Sequence, residues 1–136
     1  MTTIQKLALG VAGITALGIG GFILAAPRAF YASYGIALGP DPSLLSELRA
    51  PGAGLAAFGA VMLAGIVNTA LRQAAMMAAL TVFLAFPAGR AIGLAIDGMP
   101  SGGILGALAL ELAIAAFCLF AFRRGTGSAT TARVAH

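Results

Sequence analysis

The chain has 136 residues, of which 60% are hydrophobic and 9% charged, and its mean hydropathy is +1.01. A water-soluble domain carries about 25% charged residues and enough polar surface to cover its core, so the composition excludes an ordinary soluble globule and makes the bilayer the solvent for most of the surface. The net charge of +4 does not argue for nucleic acid, because the basic residues form no stripe interleaved with aromatics and sit instead at the ends of apolar segments, where membrane proteins keep them.

A helix needs about 20 apolar residues to cross a bilayer. The first candidate runs from Ile4 to Ala26 and stops at Pro27-Arg28. Its apolar run exceeds the about 7–15 residues of a signal-peptide core, so it is expected to be a span and not a cleaved leader. The connection that follows, "PRAFYASYGIALGPDPS", is the longest. Its aromatics Phe30, Tyr31 and Tyr34 suit the membrane interface, or else line a ligand pocket as its lid. Asp41-Pro42-Ser43 predicts a turn with Ser43 as the N-cap of the next helix.

The second candidate runs from Leu44 to Val67, with Glu47 and Arg49 near its first turns and Pro51 as a kink point. A short join around "NTALRQ" leads to the third, Leu71 to Ile96. The turn "DGMPSGG" leads to the fourth, Gly103 to Phe122, which stops at Arg123-Arg124. Short joins favour antiparallel neighbours. The expected fold is therefore an all-α, integral-membrane four-helix up-down bundle over residues 1–124, followed by a polar, disordered cytoplasmic tail over 125–136.

Charge divides along this topology. The end holding both termini carries Lys6, Arg72, Arg123, Arg124 and Arg133 and no acid; the other end carries Arg28, Arg49 and Arg90 beside all four acids, Asp41, Glu47, Asp97 and Glu111. The positive-inside rule places both termini in the cytoplasm. In a Gram-negative cell the acids then lie toward the periplasmic face of the inner membrane.

Depth singles out two of these charges. At 1.5 Å per residue, Arg90 lies about 9 Å inside the third span and Glu111 about 12 Å inside the fourth. An unpaired charge at such a depth is costly and normally faces a partner or a wet cavity, so Glu111 is the expected partner of Arg90. Ala85, Gly89, Gly93 and Asp97 recur every four residues on one helix, and Gly103, Ala107, Glu111 and Ala115 on the other; such stripes let two backbones approach. Pro87 releases a carbonyl that the guanidinium could also bond. Arg49 is expected to reach Asp97 or Glu111. The result is a polar cluster of Glu47, Arg49, Arg90, Asp97 and Glu111, roofed by Tyr31 and Tyr34. Two readings of Arg90–Glu111 stay open: a pair that fixes helix register, or a site that binds a ligand or relays protons.

Other chemistries lack their residues. Cys118 stands alone, and the single histidine is His136 at the end of the chain, so a thiol–disulfide relay, imidazole-bound haem or zinc, and a Glu-x-x-His di-iron site are not expected. No metal or cofactor is expected, and no catalytic residues.

Through "FYASYGIALGPDPSLLSELRAPGAG", "GRAIGLAIDGMPS" and Glu111, the chain resembles a bacterial family of small four-helix membrane proteins, domain-of-unknown-function family 4345, and more loosely the DoxX/DoxD-like group. The resemblance covers Ile4 to Arg124. The family pattern of an E-x-R pair, a G-R, a D-G-x-P and a later glutamate is matched by Glu47 and Arg49, Gly89 and Arg90, Asp97 to Pro100, and Glu111. It implies a membrane location and four helices, and no established activity. The expected function is a non-enzymatic inner-membrane bundle that binds the lipid bilayer and either a lipid, a protein partner or a second copy. The alternative is a small-molecule or proton-handling protein, or an accessory subunit of a membrane redox enzyme, by fold-level analogy.

Overall fold

The computed structural model describes residues 1–134, with side chains through Arg123. In chain order the helices are α1 (Thr3–Ala25), α2 (Pro27–Ala32), α3 (Pro42–Val67), α4 (Arg72–Asp97) and α5 (Gly102–Val134), with a 3₁₀ turn at Thr69–Leu71 before α4. No strand occurs among the described residues. The four long helices have mean hydropathies between 1.8 and 2.4 over their most apolar stretches and are each long enough to cross a bilayer. They form a four-helix bundle, and the chain is a small multi-pass membrane protein.

Local chemistry starts and stops each helix. Thr2 caps α1: its hydroxyl accepts from Gln5 N at 3.2 Å, and Gln5 Oε1 accepts in return from Thr2 N at 3.2 Å. The Gln5 amide also donates to the Ala121 carbonyl at 3.4 Å, tying α1 to α5. Pro27 opens the short α2 inside the long connection, a helix that no amphipathic pattern announces. The N-cap of α3 is Asp41 and not Ser43: its carboxylate accepts from Ser43 N at 3.1 Å, with Pro42 at the first helical position. Proline suits that position because its missing N–H would be unsatisfied there anyway. The α3 and α4 helices run on through Pro51 and Pro87.

The last helix also continues past Arg123-Arg124 to Val134, over a segment whose composition predicts a disordered tail. That segment has no proline to stop it. Ala135 and His136 lie outside the described residues.

The helices pack as a ring in the order α1, α3, α4, α5, with α1 also reaching α4 across the centre. The α1–α3 approach is close along its length and is made by glycines. A Cβ on Gly59 would lie 2.5 Å from the Leu17 nitrogen, and one on Gly52 would lie 2.7 Å from Ile23 Cγ2. Gly13 and Gly20 are equally close on the α1 side. This is the small-residue packing typical of membrane helices, located on a pair of helices the sequence reading does not single out.

The core is not evenly distributed along the bundle. Leu9, Ala12, Met62, Ala79, Phe83, Ile114 and Cys118 are buried. They lie on the N-terminal halves of α1 and α4, the C-terminal half of α3 and the second half of the apolar Gly102–Arg123 stretch of α5, which antiparallel packing brings to the end holding the N-terminus. The other half of the bundle, below the α1–α3 and α4–α5 connections, has few buried side chains and contains a partly open cavity.

Candidate functional site

The cavity has a volume of about 780 Å³, within the range of about 300–1,000 Å³ typical of small-molecule sites. Ile19 and Ile23 of α1, Leu55 of α3, Val82, Phe83 and Phe86 of α4, and Ile104 and Leu110 of α5 form apolar walls. Phe30, Tyr31, Tyr34 and Ile36 close it from the α1–α3 connection.

The space exists because α4 and α5 carry small residues toward it. Ala85, Gly89, Gly103, Gly106 and Ala107 all line the cavity. No side chain or neighbouring helix lies within 4 Å of where a Cβ on Gly89, Gly93 or Gly106 would sit. The stripe on α4 therefore does not serve the close α4–α5 approach expected of it. The difference is one of azimuth: spacing puts small residues on a common face but leaves open whether a helix or a void lies opposite.

Charge enters the wall at one place. Arg90 Nε donates to Glu111 Oε2 and Arg90 Nη2 to Glu111 Oε1, both at 2.9 Å. This planar fork is the strongest geometry available to a guanidinium and a carboxylate. The glutamate is 7% exposed and is the single buried charged residue among those described. Arg90 makes no bond to the carbonyl that Pro87 releases. A buried pair adds little net stability, since desolvation offsets attraction, but removing one partner leaves the other stranded.

The lid is held by side chain and backbone. Phe30 packs edge-on against Tyr31 and Tyr34 with ring centres 5.1 and 5.0 Å apart, and leans on Phe22 of α1 at 5.5 Å. Ser101, just before α5, donates its hydroxyl to the Tyr34 carbonyl at 2.7 Å. Gly103 admits the lid backbone, because a Cβ there would come within 3.2 Å of the Ser33 carbonyl oxygen. Gly35 turns the chain out of the lid with φ +78, a conformation that side chains resist. Burial and the neighbouring Tyr34 push the Tyr31 phenol above its usual pKa against an opposing pull from Arg90, so its hydroxyl stays protonated and can donate.

The rest of the expected cluster does not assemble. Glu47 and Asp97 are exposed and make no hydrogen bond or ion pair among the described residues. Arg49 is also exposed; it bonds the Leu24 carbonyl at the C-terminus of α1, where a cation complements the helix dipole. Asp97 lies two turns beyond Arg90 on the same helix, a rise of about 10 Å, which places it at the end of α4 while the arginine sits partly buried in the bundle. Of the five charged residues predicted to cluster, the structure unites Arg90 and Glu111. It joins Tyr31 and Tyr34 to them as cavity walls. The sequence reading misses Ile19, Phe83 and Phe86; an apolar residue in an apolar span gives no sign of which ones border a void.

A family model described as Domain of unknown function (DUF4345) matches residues 4–122. The chain belongs to this family. No curated protein and no solved structure matches it significantly. In this DUF4345 protein the matched span takes in the four long helices up to Phe122, the lid, and both members of the Arg90–Glu111 pair.

Proposed function

We propose that the protein is a non-enzymatic inner-membrane protein that takes a lipophilic molecule from the bilayer into the cavity beside Arg90 and Glu111. The observation that carries this reading is the coincidence of the cavity with the Arg90–Glu111 ion pair, whose glutamate is buried. A pair serving only helix register needs no void beside it, and a void left by poor packing alone would be expected to be apolar throughout. Mostly apolar walls with a few convergent polar groups are the usual form of a small-molecule site. The concentration of basic residues at the terminal end supports cytoplasmic termini and a cavity in the outer half of the membrane.

The test fills the cavity without disturbing the fold. Gly106 borders the cavity and has open space at its Cβ position, so Gly106→Leu is expected to preserve helical circular dichroism and thermal stability. Native mass spectrometry of detergent-solubilised protein with monoolein and with oleate should show a one-to-one adduct with at least one probe. In the variant the adduct should weaken by about tenfold or more. Equal adducts in both proteins would place the bound chains on the outer surface and overturn the reading.

A further inference from the structure

The polar groups in the cavity wall specify the head of the ligand. Among the described residues, Arg90 and Glu111 are the only charged ones lining the cavity, and they neutralise each other through two hydrogen bonds. The wall therefore presents no net charge. The fork uses Arg90 Nε and Nη2 and leaves Nη1, with two N–H donors, without a hydrogen bond among the described residues. Tyr31 and Tyr34 line the same cavity, and their hydroxyls have no hydrogen-bond partner among the described residues either. Glu111 is already engaged through both oxygens and is buried. The site thus offers several free donors around a neutral centre, with apolar walls beyond.

Resting on the cavity reading above, we infer that this site selects an uncharged lipophile with a hydrogen-bond-accepting head, such as an ester, amide or ketone carbonyl, over an anionic one of the same chain length. An anion entering the cavity gives up its hydration and meets Glu111 at close range, with the arginine charge already compensated; a carbonyl loses less on dehydration and accepts from the free donors without repulsion. The preference follows from the pairing, so it should respond to breaking the pair from the acid side. Glu111→Gln leaves the Arg90 charge uncompensated and should draw the anion in.

The experiment compares monoolein, a neutral ester, with oleate at a pH where oleate is ionised, by titration in native mass spectrometry and by competition between the two. The wild-type protein should bind monoolein about tenfold or more tightly than oleate. Glu111→Gln should remove or reverse that preference. Because this variant leaves the Arg90 charge stranded in the bundle, Tyr31→Phe with Tyr34→Phe provides an independent arm: it should weaken monoolein by about 2- to 10-fold per lost donor and leave oleate far less affected. Oleate binding as tightly as monoolein to the wild type would overturn the inference and leave the cavity reading standing. A wild-type preference that both sets of variants leave unchanged would also overturn it. Binding of neither probe would overturn both.

Discussion

Arg90 and Glu111 are joined by two hydrogen bonds of 2.9 Å across the α4–α5 hairpin, in the wall of a cavity of about 780 Å³. The two residues are level because α4 and α5 turn around Gly98 to Ser101, so counting back from one end and forward from the other reaches the same depth. The pair's effect on stability and the binding role proposed for it separate by mutation.

Arg90→Ala or Glu111→Ala each strands a charge inside the bundle and should destabilise the protein by about 3–5 kcal/mol. The double variant Arg90→Met with Glu111→Leu removes both charges at similar volume and should unfold close to the wild type. Thermal unfolding in detergent measures this. A double variant as unstable as the singles would show that the fork contributes net stability. If the double variant is stable but binds neither probe, the pair serves the ligand.

Glycine substitutions should change sign with location. Gly59→Ala on α3 drives a Cβ to 2.5 Å from the α1 backbone at Leu17, and should cost about 2 kcal/mol or more through overpacking. Gly93→Ala on α4 meets nothing within 4 Å and should gain up to about 1 kcal/mol from helix propensity. The comparison uses one assay of unfolding midpoint. Equal losses at both positions would mean that α4 is closely packed at Gly93 after all.

Tyr31 should titrate late. Its pKa is raised from 10.0, chiefly by burial. A phenol whose folded pKa exceeds its unfolded value stabilises the fold fully below pH 10 and loses that contribution as pH rises through the folded pKa. The chain has two tyrosines and no tryptophan, so phenolate absorbance is clean. In Tyr34→Phe the remaining phenol should ionise above 10.0, and unfolding in detergent should restore the ordinary value. Ionisation at the ordinary value in the folded state would place Tyr31 in water and remove it from the cavity wall.

Topology has its own test. A reporter active only in the periplasm should stay silent when fused after Arg124 and become active when inserted in the connection after Gly39. The opposite pattern would invert the bundle and put the cavity in the cytoplasmic half of the membrane.

Much of this protein is written along the chain. The spans follow from long apolar runs ended by Pro27, Asn68 and the turn at Gly98, because a bilayer demands length and apolarity in every span. Arg90 and Glu111 can be paired from sequence because antiparallel helices joined by a short turn make depth a matter of counting. What counting cannot supply is rotation about each helix axis. It could not say that Gly52 and Gly59 would meet α1 while Gly89 and Gly93 faced open space, since both pairs carry small residues at regular spacing. Nor could it keep Arg49 from the cluster; the arginine turns instead to the Leu24 carbonyl. The α2 lid and the cavity beneath it are decided by how four helices share a cross-section: tight through glycines on the α1–α3 side, and open where small residues of α4 and α5 face the centre with no large side chain to fill it.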